Sequence, residues 1–406
     1  MLEQDEFMNL SKMNFDISEE QTMILEQVDR ACREFRPIED KFYLEHRIND
    51  QVKPFFAKAH LLGLPVSRTY GDGQGADMVT YALSVERIGR EGAGLRTFFS
   101  VHMALGQMTI QHWGTEEQKG RLLPAATRGE TILAFGLTEP GAGGDPAALT
   151  TYFEEKEGKY LLTGQKMWIP LGSTANKILV FAYPKGKREG MCGFVMDTLT
   201  PGYKAEIIPH KLGLPTADTS TVDLDKAEVS KEDMLGSPGK GMSVALSGLM
   251  NGRLSVAAGC VGVIQDCLDE AVRYASVRVQ HKKLIGKHQL IQRHMGIISM
   301  NLDAAKLLLL KAAFIRQKHE ENPKSAELRD AADLAVTRAK YFAANASFDS
   351  ANRAVQIFGA NGYSLENRPA RHLADGRVTM MYEGTNEILE QKMALGSLGK
   401  SFDAHP

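Results

Sequence analysis

Near the end of the chain, the residues Tyr382-Glu383-Gly384-Thr385-Asn386 place a carboxylate directly beside a glycine. A carboxylate can remove a proton from a substrate, and a nearby unhindered backbone N–H can stabilise the negative charge that then develops. The pair is therefore a candidate for general-base chemistry on a carbon acid. An isolated Glu-Gly pair is also typical of a surface turn, so the motif needs support from the rest of the chain.

Three further segments carry residues suited to a flat, phosphorylated cofactor. TEPGAGGD at 138–145 offers backbone N–H groups to a phosphate, and it lacks the G-x-G-x-x-G spacing of a nicotinamide-binding fold. Trp168 ends a strand-like run, where an indole could stack on a planar ring. Residues 278–294 hold three lysines, two arginines and three histidines but no acid, a field suited to a pyrophosphate. The alternatives are an ordinary turn, a core tryptophan and a solvated basic helix end.

The overall composition excludes several other classes of protein. Lysine plus arginine (48) nearly balance aspartate plus glutamate (50), so we expect neither nucleic acid nor an anionic membrane as a partner. The four cysteines show no C-x-x-C spacing, which favours reduced thiols and predicts no metal site. The polar, acidic N-terminus is unlike a secretory signal, and no run reaches the roughly 18 apolar residues of a membrane span. We therefore expect a cytoplasmic protein, with a disordered extension over residues 1–12.

The elements that must position these residues fall into three parts. Residues 13–130 have helical apolar periodicity and predict an N-terminal helical domain, opening with a capping box at Ser18 and a helix that runs to Pro37. Residues 131–240 are short strand-like runs, with a hairpin tip at 157–159, and predict a middle β domain. Residues 241–406 return to helical periodicity and predict a helical bundle. The fold class is thus mostly α with a middle β domain, and we expect the site in a cleft between the parts.

Taken together and in order, the segments FDISEEQ, TEPGAG, KMWI, GRLSVAAG, HQLIQ, QIFGANGYS and YEGTNEI resemble the acyl-CoA dehydrogenase family over nearly the whole chain. The resemblance implies an N-terminal helical domain, a β-barrel domain and a C-terminal four-helix domain, assembled as a homo-oligomer, either a dimer or a tetramer. It also implies FAD as cofactor and oxidation of the Cα–Cβ bond of an acyl thioester, carried by coenzyme A or by an acyl carrier protein.

The resemblance assigns roles to individual positions of this sequence. Glu383 matches the base that removes the α-proton, and its own N–H matches a donor to the thioester carbonyl. The positions that match or adjoin substrate contacts are Arg96, Ser100, Asn251, Arg253 and Gly384. The positions that match or adjoin FAD contacts are Phe135, Leu137, Thr138, Gly143, Gly144, Trp168, Ile169, Pro170, Arg278, Gln280, His288, Gln289, Gln356, Ile357, Phe358, Gly359, Ala360, Thr385 and Glu387. Of these, Arg278, Gln280 and residues 356–360 match groups that reach FAD from a neighbouring subunit.

Several positions depart from the family pattern and leave alternatives open. Pro170 replaces a hydroxyl residue that usually bonds flavin N5, Gly144 replaces a serine, and His281-Lys282 replaces Phe-Gly. Electron-transfer flavoprotein is the family's usual electron acceptor, and a relative that uses oxygen or a carrier-protein thioester is the alternative. A catalytically silent FAD-binding scaffold is a third hypothesis, which Glu383 argues against.

Arg96 and Ser100 lie in a stretch that is similar to the one in which glutaryl-CoA dehydrogenases bind a distal carboxylate. They predict a polar or acidic acyl chain, because a buried arginine needs an anionic or polar partner. A salt bridge at a helix end is the other interpretation of Arg96.

Overall fold

A computed structural model describes residues 16–402, so the extension predicted for residues 1–12 lies outside the described part. The chain opens with six α-helices joined by short loops. Their bounds are α1 Glu19–Leu44, α2 Val52–Lys58, α3 Met78–Glu91, α4 Ala93–Phe99, α5 Met108–Trp113 and α6 Glu116–Thr127. A π-helix, Ser100–Gln107, continues α4 into α5. Wide helical turns of this kind are frequent at functional sites.

The first helix begins as predicted but continues further than predicted. Ser18 caps it through the Gln21 backbone N–H, and the Gln21 side chain accepts from the Ser18 N–H, which completes the capping box. The helix then passes through Pro37 to Leu44, although proline removes one backbone hydrogen bond. Buried residues on both sides of Pro37, among them Phe35 and Phe42, keep the helix packed on the core, and this packing outweighs the local cost.

Between residues 133 and 235 the chain forms eight strands. They are β1 Leu133–Gly136, β2 Tyr152–Lys156, β3 Lys159–Pro170, β4 Lys177–Pro184, β5 Cys192–Asp197, β6 Tyr203–Ile207, β7 Thr219–Ser230 and β8 Met234–Leu235. The strand order is β6-β7-β3-β2-β4-β5-β8, and β1 pairs in parallel with β4. The predicted hairpin tip joins β2 to β3, where Glu157 and Gly158 take φ values of +51° and +81°. These left-handed angles suit the tight turn of a two-residue hairpin.

Five helices follow, and the first of them runs through the centre of the molecule. They are α7 Gly241–Ala275, α8 Gln289–Glu321, α9 Ala326–Phe358, α10 Arg368–Gly376 and α11 Asn386–Leu398, with a short hairpin of β9 Val279–Gln280 and β10 Lys283–Leu284 after α7. α7 packs against α3 and α9. It is long and apolar enough to cross a membrane. However, 83% of its most apolar 18-residue stretch is buried inside the protein, as in a core helix.

One buried carboxylate ties the N-terminal helices to the segment that leads to Glu383. Asp266 on α7 accepts hydrogen bonds from Arg368 Nε (2.7 Å) and His372 Nε2 (2.8 Å) of α10, and from Arg36 Nη2 (3.1 Å) of α1. The neighbouring Arg368 guanidinium is the main reason that the pKa of Asp266 lies well below its usual range despite burial. This network fixes α10, and therefore the turn that follows it, against the core.

Candidate active site

Glu383 lies in a tight turn between α10 and α11 and adopts an unusual backbone conformation. Its φ is +56°, and that of Gly384 is +98°. Left-handed angles are costly for residues with a side chain, on the order of 1 kcal/mol or more, and persist only where the surroundings enforce them. Thr385 then starts α11 by accepting a hydrogen bond from the Ile388 N–H. The turn is therefore held in one conformation rather than left as a surface loop.

Two buried cations hold the carbonyl groups of this turn. Arg253 of α7 donates from Nε to the Glu383 carbonyl oxygen (2.9 Å) and from Nη1 to Asp333 (3.0 Å). Lys340 of α9 donates from Nζ to the Gly384 carbonyl oxygen (2.8 Å). Two different helices thus fix consecutive carbonyl oxygens, and the helical core determines the position of the turn.

The Glu383 carboxyl group points at the surface of α7, where a glycine makes room for it. A Cβ atom on Gly252 would lie 2.3 Å from Oε2 and 2.5 Å from Oε1, closer than atoms can pack. Oε2 is buried and has no hydrogen-bond partner among residues 16–402. Burial raises the pKa of Glu383 to about 7, against the opposing influence of Arg253, Arg96 and Lys340. A carboxyl group with a free oxygen and a pKa near neutrality is suited to take a proton from a substrate.

Arg96, on α4, lies next to this carboxyl group and does not form a salt bridge at the helix end, which was the alternative interpretation. Its side chain is buried against Gly259 of α7, and it donates a hydrogen bond to the Tyr382 hydroxyl. No carboxylate of the described residues lies within ion-pair distance of it. Ser100, four residues later, has a buried hydroxyl without a partner among the described residues. The two groups predicted to bind a polar acyl chain are therefore both buried and both incompletely paired.

The glycines of the 138–145 segment leave an open cradle at the end of β1. A Cβ atom on Gly141 or Gly143 would meet nothing within 4 Å, and one on Gly144 only the Ile388 side chain at 3.8 Å. The Thr138 carbonyl accepts a hydrogen bond from the Met167 N–H (2.9 Å), which brings this loop to the end of β3. An anionic or flat group can approach the backbone here without steric hindrance.

Trp168 stands beside this cradle and projects outward. It occupies an irregularity of the β3–β7 pairing between Lys166 and Ile169, has a φ of +60°, and leaves 53% of its surface exposed. A core tryptophan, the alternative interpretation, would be buried. An exposed indole next to an open glycine loop fits a planar cofactor ring, and the residues present are therefore compatible with FAD.

The remaining predicted residues of this region lie behind or beside the cradle. Phe135, Leu137 and Ile169 are buried in the β-domain core, so their side chains support the site from beneath. Pro170 pairs with Thr219 of β7. At the start of α11, Glu387 is exposed, and its pKa is lowered mainly by a hydrogen bond with its own backbone N–H.

A buried ion pair beneath the cradle escaped the sequence analysis. Lys166 Nζ donates to Glu139 Oε1 (2.8 Å) and to the Phe181 carbonyl (2.8 Å), while Glu139 also accepts from the N–H groups of Thr150 and Thr151. Lys166 draws the pKa of Glu139 down to about 2, and burial lowers the pKa of Lys166 to about 8. Both charges are almost fully buried, so breaking the pair would be strongly destabilising. Glu139 and Lys166 belong to the TEPGAG and KMWI segments that the sequence singled out, but nothing in the sequence predicts that they pair.

The second group of predicted cofactor residues forms a separate exposed surface. Arg278 and Gln280 lie exposed on the hairpin after α7, with His288 half-buried and Gln289 exposed at the start of α8. The end of α9 joins them because Tyr274 and Phe358 stack with ring centroids 4.2 Å apart. Of the predicted α9 residues, Ile357 and Phe358 are buried, whereas Gln356, Gly359 and Ala360 are exposed.

Asn251 lies on a different side of α7 from the glutamate turn. Its side-chain oxygen accepts a hydrogen bond from Arg316 Nε of α8 (3.0 Å), and the residue is buried. Its substrate contact stays a prediction, whereas Arg253 and Gly384 lie directly at Glu383. Gly252 and Lys340, which the sequence analysis did not single out, complete the surroundings of the carboxyl group.

Comparison with known proteins agrees with this arrangement. Models of the acyl-CoA dehydrogenase N-terminal, middle and C-terminal domains match residues 18–130, 134–227 and 239–398. An acyl-CoA dehydrogenase of Bacillus subtilis (strain 168) is 35% identical over 375 residues, covering 92% of this chain and 96% of that protein. Subunit CarC of the caffeyl-CoA reductase-Etf complex of Acetobacterium woodii is 31% identical over 399 residues, covering 98% of each. The solved glutaryl-coenzyme A dehydrogenase in complex with glutaryl-CoA has a TM-score of 0.88 and 32% identity, covering 95% of this chain and 97% of that one.

A carboxyl group suited to accept a proton, together with an open loop compatible with a flat, phosphorylated cofactor, is the arrangement expected of a flavin-dependent dehydrogenase. The family matches identify the kind of dehydrogenase. The chain belongs to the acyl-CoA dehydrogenase family, whose members use FAD to dehydrogenate acyl-CoA thioesters. The predicted family, fold class and cofactor are thereby confirmed.

Proposed function

We propose that Glu383 is the base with which this enzyme removes the α-proton of an acyl thioester. The observation that carries the proposal is that Glu383 Oε2 is buried and has no hydrogen-bond partner among the described residues. The pKa of this carboxyl group is about 7, so a substantial fraction is ionised near neutral pH. The same buried carboxylate would have no function in a silent FAD-binding scaffold, in which an unpaired acid only costs stability.

The proposed step breaks the Cα–H bond and transfers the proton to Glu383, while a C=C bond forms between Cα and Cβ. FAD, when bound, supplies the acceptor for the hydride that leaves Cβ. The Glu383 N–H has no acceptor among the described residues, so it is free to donate to the thioester carbonyl and to stabilise the developing enolate. The fixed backbone of the turn means that this donor is oriented before the substrate binds.

A panel of acyl thioesters mixed anaerobically with the FAD-loaded protein tests this function. Loss of the oxidised flavin absorption on mixing identifies a dehydrogenase and ranks the acyl chains. The same panel carried on coenzyme A and on an acyl carrier protein distinguishes the two carriers. A flavin that no thioester bleaches would instead support the scaffold hypothesis.

We further propose that Arg96 and Ser100 select an acyl chain with a distal carboxylate or hydroxyl. A buried guanidinium with no carboxylate partner and a buried hydroxyl with no partner are costly unless a ligand supplies the missing contacts. The structural likeness to a glutaryl-CoA dehydrogenase supports the same conclusion.

Replacing Arg96 by alanine is expected to slow flavin reduction by glutaryl thioesters at least about tenfold more than reduction by butyryl thioesters, because only the acid loses a charged partner. Single-turnover reduction at a series of concentrations of each substrate measures the difference. An equal loss for both substrates would assign Arg96 a structural role at Tyr382.

We also propose that the enzyme acts as a homo-oligomer in the cytoplasm, with FAD shared between subunits. Arg278 is exposed, as are Gln356, Gly359 and Ala360 at the end of α9, as expected of groups that reach a neighbour's cofactor. Four buried, unpaired cysteines fit a reducing compartment.

Alanine at Arg278 is expected to weaken FAD binding roughly 10- to 100-fold, since a charge-assisted phosphate contact contributes about 1.5–3 kcal/mol. Titration of the apoprotein with FAD, monitored by flavin fluorescence, gives the affinity. Lys287→Ala is the matched control, because it removes the same charge from the same basic segment outside the predicted contacts. Equal weakening in both variants would indicate a general field rather than a specific contact.

Electron-transfer flavoprotein is the electron acceptor we propose, and the relative from an Etf complex supports it. Pro170 bears on the alternative, oxygen, because it provides neither a hydroxyl nor an N–H. Pro170→Thr is expected to slow reoxidation of the fully reduced, product-free enzyme by oxygen, followed by stopped-flow absorbance. Superimposable traces, or a faster threonine variant, would exclude Pro170 as a cause of oxygen reactivity.

A further inference from the structure

Lys340 is a buried cation that the proposed proton transfer does not use. It lies on α9 with 0% of its surface exposed, and it forms no ion pair with a carboxylate of the described residues. Its Nζ instead donates to the neutral carbonyl of Gly384 at 2.8 Å. Burying an ammonium group is costly when its partner is a neutral carbonyl rather than an acid. Stability therefore does not explain why a lysine occupies this position.

The position of this hydrogen bond couples Lys340 to the proposed base. Gly384 follows Glu383, and the two form the left-handed turn with φ values of +56° and +98°. Arg253 fixes the carbonyl of the first residue and Lys340 the carbonyl of the second. With both peptide planes fixed, the Glu383 side chain has one direction in which to leave the backbone, toward Gly252 of α7.

The charge of Lys340 also acts on the carboxyl group itself. The cations that lower the pKa of Glu383 come from three helices: Arg253 of α7, Arg96 of α4 and Lys340 of α9. Lys340 in turn faces Cys260, Glu383, Arg253 and Glu387. Burial lowers the pKa of Lys340 to about 8, so the ammonium form is present below that pH. Through the range in which Glu383 ionises, Lys340 thus favours the carboxylate.

We propose that Lys340 is a positioning residue of the active site, which orients the Glu383 carboxyl group through the Gly384 carbonyl and favours its ionisation by charge. The inference rests on the proposed role of Glu383 as the base. A purely structural lysine would support the turn without changing the pH at which the base works.

The test measures the rate of anaerobic flavin reduction by a saturating thioester as a function of pH. Lys340→Met is expected to shift the rising limb of this profile upward by roughly one pH unit, because an opposite charge beside a carboxyl group is lost. It should also lower the plateau at least about tenfold, because the base is less well oriented. Lys340→Arg keeps the charge and is expected to restore the position of the limb. Lys311→Met, which removes a half-buried lysine of α8, is the matched control and should leave the profile unchanged.

Bound flavin and the thermal midpoint of each variant show whether it has folded. Should Lys340→Met fail to fold, Lys340→Arg still tests the proposal. Its altered donor geometry must lower the plateau of the pH profile, while the pH at which the rate rises stays the same. Profiles of the Met and Arg variants that superimpose on the wild type would overturn the proposal. If Glu383→Gln is itself reduced at the wild-type rate, the assignment of the base fails instead, and the two failures are thereby distinguished.

Discussion

Glutamine at position 383 is expected to slow flavin reduction by acyl thioesters at least about 100-fold, because the amide has nearly the shape of the carboxyl group but cannot accept the α-proton. Stopped-flow reduction under anaerobic conditions measures the rate. The wild-type rate should itself rise with pH through about 7, since only the ionised form of Glu383 is a base. The rate of the glutamine variant should not rise with pH in this range.

The stability of the same variant provides the control for folding. The pKa of Glu383 is raised in the folded protein, so ionisation costs folding free energy as the pH rises from the unfolded-state value through about 7. Glutamine removes this cost, and above pH 7 the variant should melt no lower than the wild type. A variant that binds FAD, melts normally and is reduced at the wild-type rate would show that the base lies elsewhere.

A second large effect is expected from Gly252→Ala, which changes no group that takes part in the chemistry. The added methyl group would lie 2.3 Å from Glu383 Oε2, so the carboxyl group must move from its place. A displacement of about 1 Å at a reacting group can cost on the order of 100-fold in rate. Single-turnover flavin reduction should fall accordingly, whereas bound FAD should be unchanged.

The stability of Gly252→Ala should not fall in parallel, since alanine favours the interior of a helix over glycine by about 1 kcal/mol. Loss of rate without loss of stability distinguishes displacement of the base from general damage. Gly296→Ala on α8 is the matched control, because a Cβ atom there would meet nothing within 4 Å. If Gly252→Ala is reduced as fast as Gly296→Ala, the carboxyl group has room that this structure does not show.

The fold class could be predicted from the sequence because its signals are local. The capping box at Ser18 and the turn at Glu157-Gly158 depend on residues within a few positions of each other, and both appear as predicted. The course of α1 beyond Pro37 could not be predicted in this way. It depends on packing against helices that follow later in the chain, among them α3, which no local pattern contains.

The surroundings of Glu383 were predictable only in part for the same reason. The YEGTN motif identified the carboxylate, but Gly252 and Lys340 approach it from α7 and α9, which are distant in sequence. A glycine within a long helix and a lysine among alanines look like ordinary variation until the fold brings them to one point. The Lys166–Glu139 pair shows the opposite case, in which both residues lie in segments that the sequence singled out but their pairing could not be predicted.

The central course of α7 has a consequence for dividing this enzyme into parts. Its first turns, with Val244 and Ala245, belong to the core of the β region, while its remainder shares one core with the N-terminal helices and with α8 and α9. A single helix therefore forms part of the packed core of all three regions. Cutting the chain at the boundaries of its family domains would expose an apolar surface on each fragment, so the enzyme should unfold as one cooperative unit and resist dissection into autonomous modules.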